Sequence, residues 1–180
     1  MKETISPSKS ALQLGILFGV IMVLEFVISY VLHLTPTDNP SAGMIMSILN
    51  YFVLPVVFIT IGCINYKKNF NGGFISFGQC LKIGVSITVL AALIYSIFYI
   101  IFIQIFPDFL DSSMADVKTV MLKNNPEMTK DQIETAISVT RKFMSPWILA
   151  PSTMAIYAFI GLIFSLIVGA FVKNDKPTGY

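Results

Sequence analysis

The chain has 180 residues, of which 55% are hydrophobic and 12% charged, and its net charge is +2. A soluble domain usually carries about 25% charged residues, and the mean hydropathy here is +0.77, so a water-facing globular surface is excluded in favour of a bilayer. The near-neutral balance leaves no basic field for nucleic acid.

Charge is also clumped: between Lys9 and Lys67 only Glu25 and Asp38 are charged. A membrane-spanning helix needs roughly 20 mostly apolar residues, and four runs meet that need. The first covers residues 11–34. It is too long for the apolar region of a signal peptide, contains Glu25 and has no small-x-small cleavage site before its polar break, so it reads as a retained span. The second covers residues 44–66 and contains Pro55. Proline lacks the amide hydrogen and crowds the carbonyl four residues back, at Tyr51, which predicts a kink. The third covers residues 80–106 and the fourth 147–172, with Pro151 in its first turns. The expected fold is an all-α integral membrane protein, residues 1–180 forming one membrane domain built as a four-helix bundle.

Lysine in the short loops sets the expected orientation. Lys2 and Lys9 precede the first span, Lys67, Lys68 and Lys82 flank the turn between the second and third, and Lys173 and Lys176 follow the fourth. The turn HLTPTDNPSAG has no lysine or arginine. Both termini are therefore expected in the cytoplasm, and residues 107–146 outside it. Arg141 and Lys142 run against this assignment, but their loop is long and holds six acids.

That loop is the one sizeable piece outside the spans. Phe109 or Leu110, Met114, Val117 and Met121 recur at helical intervals. Thr129 and Gln132 make a capping box, with Met128 and Ile133 placed for a hydrophobic staple. Ile133, Ala136, Ile137, Thr140 and Met144 continue one face. Two amphipathic helices in a hairpin are predicted, lying on the bilayer interface, on the end of the bundle or on a partner. A weak echo links ALQLG at residues 11–15 with CLKIG at residues 80–84. It suggests two duplicated helical hairpins, but chance explains so short a match equally well.

Inside the spans the clearest pattern is small residues four apart, which let helices approach closely in lipid. Ala11, Gly15 and Gly19 form one ladder, Cys80, Gly84, Thr88, Ala92 and Ser96 a second, and Gly161, Ser165 and Gly169 a third. They read as packing seams within the chain, or as one seam reserved for a partner or a second copy.

Glu25 is the polar outlier. An ionised acid near the bilayer centre costs at least about 2.5–3.5 kcal/mol. It can be carried in the neutral form, pair with Asn50, Ser47 or Gln104, or line a wet cavity. Glu25, Asn50 and Gln104 are thus the candidate polar site. Structural acid, partner contact, coupling group and lipid-headgroup contact all remain open for Glu25.

Other chemistry is sparse. With one histidine, His33, beside one acid, Asp38, a metal centre has too few ligands. Cys63 and Cys80 show neither CxxC nor zinc spacing, and both are expected at cytoplasmic span ends, where thiols stay reduced. Tyr30, Tyr51, Tyr99, Trp147 and Tyr157 suit interface belts or packing. Asn71-Gly72-Gly73 is turn chemistry and not a phosphate loop. No HExxH, GxSxG or kinase-like set is present, so no catalytic group, cofactor or metal is expected.

The basic turn NYKKNFNGGFISFGQCLKIG, with Gly72, Gly73, Ile75, Phe77 and Gly78, and the Pro107-Asp108-Phe109 entry to the loop carry a resemblance. Together with MTKDQIETA, FMSPW and the closing GLIFSLIVGAFVK, they make the chain resemble the bacterial membrane-protein family called domain of unknown function 4199, over nearly its whole length. The resemblance implies a small multi-span inner-membrane protein and supplies no activity or functional residues. The expected function is a non-enzymatic accessory or scaffold subunit that binds other membrane proteins or its own copies. The alternative is a small oligomeric transporter or ion-coupled carrier using Glu25. An enzyme acting on lipid through Asp108 and Asp111 is a third reading that nothing in the spacing favours.

Overall fold

A computed structural model describes residues 5–34 and 39–176. Lys2 and Asp38 lie outside the described residues. A short helix α1 (Pro7–Ser10), capped by the Ser6 hydroxyl, leads into α2 (Leu12–Val31), the first span. The second span is one continuous rod. It joins α3 (Pro40–Ile48), a π-turn at Leu49–Val53, α4 (Leu54–Asn65) and a second π-turn at Tyr66–Phe70. The third span is α5 (Phe77–Ile105) and the fourth is α8 (Pro146–Val172), with α6 (Asp108–Asn124) and α7 (Lys130–Phe143) between them. These four rods are long and apolar enough to cross a membrane. Among the described residues there is no strand beyond a two-bond bridge of Ile75 with Asn174.

The rods begin and end where local chemistry dictates. α5 opens at Phe77, before the expected Cys80, because Ser76 and Gln79 form a capping box. Ser76 Oγ accepts from the Gln79 amide at 3.3 Å, and Gln79 Oε1 accepts from the Ser76 amide at 2.8 Å, which satisfies two of the amides a helix start leaves free. The second span runs on past Tyr66, so Lys67 and Lys68 sit in its last turn. Lys67 Nζ donates to Val172 O at 3.0 Å. A cation thereby meets a carbonyl end of α8, where the helix dipole is negative. Gly72 and Gly73 turn the chain with φ of 63° and 89°, a region where glycine has no steric cost. The Gly73 carbonyl then accepts from Asn174 Nδ2 at 3.0 Å. The segment after α8 is thus tied to the basic turn.

α5 is the central post. It packs most extensively on α8 and α2, and also against α4. All three small-residue ladders are buried. A β-carbon at Gly15 or Gly19 would press on Leu90 or Ile94 of α5, one at Gly62 on Ile87 and Ile83, and one at Gly169 on Phe77. Gly84 faces Ser165, and Gly161 faces Thr88 and the Gly84 carbonyl. Each ladder is used up by a helix of the same chain. The outward sides of the four rods carry exposed leucine, isoleucine, valine and phenylalanine, as a lipid-facing surface requires.

At the far end from the basic turn, rings lock α2 to α5 and α6. Phe26 meets Phe102 at 4.9 Å and Phe109 at 5.5 Å, both edge-on, a favoured aromatic geometry. α6 and α7 pack on each other and are bridged by Arg141 and Asp111. The predicted face of α7, Ile133, Ala136, Ile137, Thr140 and Met144, is its less exposed side, and Met114 and Ile133 are the buried residues of the pair.

Candidate functional site

The site starts from Pro55. In the π-turn before it, the Leu54 amide donates to Leu49 O, five residues back. The next bond of that pattern would run from residue 55 to Asn50 O, and proline has no amide hydrogen to give. Tyr157 on α8 supplies a donor instead, its hydroxyl reaching Asn50 O at 3.5 Å. Thus the expected disturbance at Pro55 takes the form of a widened turn, a common partner of functional sites. It carries Asn50 and Tyr51 toward the other spans.

Asn50 Nδ2 donates to Glu25 Oε2 at 2.5 Å and to Met46 O at 3.1 Å. Asn50 Oδ1 is buried and receives no hydrogen bond. Around this pair lies a cleft of about 370 Å³ to which all four spans contribute. α2 supplies Met22, Glu25, Phe26 and Ser29; the second span supplies Met46, Ser47, Asn50 and Tyr51; α5 supplies Tyr95; and α8 supplies Leu149, Thr153 and Tyr157. Glu25 is the one charged residue of this lining. The cleft exists because α3 packs against little besides the turn that follows it. Gly43, in its middle, has open space where a β-carbon would sit. The cleft occupies the half of the bundle nearer α6 and α7, and Phe26 and Ser29 also line a second hollow reaching His33 and Asp116.

Of the three polar residues expected to converge, Glu25 and Asn50 meet. Gln104 is exposed and lies outside the cleft. It stands two residues beyond Phe102, whose ring faces α2, and two residues turn a helix by about 200°. The lining hydroxyls of Ser29 and Thr153 drew no attention in the sequence. Their spacing held the signal: Ser29 is four residues after Glu25, and Tyr157 four after Thr153, so each pair shares a helix face.

The remaining candidates fall elsewhere. Cys63 and Cys80 are fully buried free thiols at the basic-turn end. His33 takes φ 52°, and its Nδ1 lies 3.0 Å from Val31 O. Trp147 is exposed, while Tyr99 is buried with its hydroxyl 3.4 Å from Met144 O. Asp111 is engaged by Arg141.

No curated protein and no solved structure matches the chain. The model of the family described as a protein of unknown function, DUF4199, matches residues 13–174, and the chain belongs to that family.

Proposed function

We propose that this is a non-enzymatic membrane protein that works by binding, and that the cleft beside Glu25 is the ligand site of a small carrier. One observation carries the reading. Glu25 is the only acidic side chain within the four spans, and it opens onto a cavity instead of onto a packed seam. A carboxylate at such depth costs at least about 2.5–3.5 kcal/mol, and one asparagine hydrogen bond to a charged group returns only about 1.5–3 kcal/mol. A binding role accounts for keeping it. Four spans are few for a monomeric carrier, so the working unit is an oligomer.

In this reading the protein sits in the bacterial cytoplasmic membrane. Lys67, Lys68 and Lys82 hold the basic turn and both termini in the cytoplasm, and residues 107–146 are extracytoplasmic. The cleft then opens in the outer half of the bilayer. Mass spectrometry of small molecules extracted from purified wild type and Glu25→Gln is the test. A stoichiometric low-mass compound present in wild type and depleted in the variant is expected. Identical extracts would refute the site.

A second reading, an accessory subunit of a membrane complex, draws support from Phe143 and Trp147, exposed by 62% and 90% where α7 meets α8. The small-residue seams no longer support it, because the chain's own helices fill them. It predicts a stoichiometric protein partner after gentle extraction that is lost in Phe143→Ser/Trp147→Ser. A monodisperse monomer would count against it.

A further inference from the structure

We propose that the cleft takes an ammonium group, held by the Glu25 carboxylate against a wall of Phe26, Tyr51, Tyr95 and Tyr157. This rests on the cleft being a ligand site and names the chemistry of the ligand.

The charge of the cleft lining is one-sided. Asn50 Nδ2 is committed to Glu25 and to Met46 O, Tyr157 OH to Asn50 O, and Ser47 Oγ to Gly43 O, while the hydroxyls of Ser29, Tyr51, Tyr95 and Thr153 in the same lining are neutral groups that can donate or accept. A carboxylate offers about four acceptor positions, and among the described residues Glu25 receives one side-chain hydrogen bond, from Asn50. A group that pairs with the Glu25 carboxylate must bring donors, and a negative site with no lysine, arginine or histidine in its lining calls for a positive one.

The walls sharpen this. Tyr51 and Tyr157 have ring centroids 5.8 Å apart and flank the same space. Aromatic faces attract an organic cation within about 6 Å. They offer nothing to a hard metal ion, and a single carboxylate falls far short of the roughly six to eight oxygens that calcium takes. A volume of about 370 Å³ admits an ammonium with a modest apolar substituent, at the small end of ligand pockets. The same chemistry is found in a free amine and in an ethanolamine headgroup.

The test is calorimetry of the full chain in maltoside micelles, titrated with phenylethylammonium and with 2-phenylethanol, its neutral counterpart. Saturable binding of the ammonium is expected, roughly ten-fold or more tighter than the alcohol. That comparison uses the wild type alone, so it stands even if a variant misfolds. Glu25→Gln should weaken the ammonium and leave the alcohol unchanged, whereas Glu25→Asp should retain part of the preference. Native mass spectrometry from vesicles of phosphatidylethanolamine and phosphatidylglycerol then separates the two sources. Retained phosphatidylethanolamine that phenylethylammonium displaces assigns a headgroup, and calorimetric binding without retained lipid assigns a soluble amine. Equal binding of amine and alcohol, or no binding of the amine, would overturn the ammonium assignment. A neutral or anionic compound extracted from wild type and lost in Glu25→Gln would overturn it while leaving the cleft as a ligand site.

Discussion

Gly84→Ala tests how tightly the third and fourth spans are joined. A β-carbon at Gly84 would fall inside contact distance of Ser165 Oγ and lie 3.1 Å from both Ser165 Cβ and Ile59 Cγ2. Ser165 and Ile59 are each 0% exposed, so neither side chain has room to yield and the helices must separate. Overpacking of this kind costs about 1–3 kcal/mol. Alanine also gains about 0.8–1 kcal/mol of helix propensity over glycine, which would obscure the loss in a single comparison. Gly43→Ala supplies the correction, because Gly43 is also helical and meets nothing within 4 Å. Propensity then cancels, and the gap between the two variants isolates the packing cost of about 1–3 kcal/mol. The assay is unfolding in mixed micelles, followed by circular dichroism as dodecyl sulfate is raised. Ser165→Gly in the Gly84→Ala background removes the colliding atoms and should recover most of the loss. Equal stability of Gly84→Ala and Gly43→Ala, or no recovery, would refute the α5–α8 seam.

Other substitutions probe separate joints. Tyr157→Phe removes the donor to Asn50 O and should cost about 0.5–1 kcal/mol, the lower part of the range for a neutral hydrogen bond. In a Pro55→Ala background that cost should shrink, because residue 55 regains an amide; a double-mutant cycle in the same unfolding assay reads the coupling. Ser76→Ala breaks the box that opens α5 and should cost about 1 kcal/mol. Asp111→Ala should change stability by less than about 1 kcal/mol, since both partners of the Arg141 pair are more than half exposed; a larger loss would mean that the pair clamps α6 to α7.

Much of the architecture was legible because hydrophobic length alone separates spans from loops, and because Thr129 with Gln132 announces a helix start by a fixed spacing. Ser76 with Gln79 announces another in the same way, and reading it would have placed the start of α5. The seams were legible as ladders, but a ladder does not name its partner. Only the fold reveals that Gly15, Gly62 and Gly161 spend their small size on α5, and that Gly84 of α5 spends its own on Ser165 and Ile59. Lys67 read as a sign of orientation, whereas its contact with Val172 O spans 105 positions in the chain. At the site, Glu25 with Asn50 could be guessed from polarity and depth. Gln104 misled because depth was matched without helix phase. The role of Pro55 was the hardest to read, since it depends on a π-turn and on Tyr157, more than a hundred positions away.

The central claim is that the space beside Glu25 is an open, wet cleft in the half of the bundle nearer α6 and α7. Thiol labelling in vesicles tests it most directly. Cys63 and Cys80 are fully buried and should stay silent to a membrane-impermeant maleimide. Thr153→Cys places a thiol in the cleft lining, and Leu24→Cys places one on the exposed apolar side of α2, next to Glu25 in sequence. The account predicts rapid modification at residue 153 and none at residue 24. Equal rates at the two positions, or no reaction at residue 153, would contradict it.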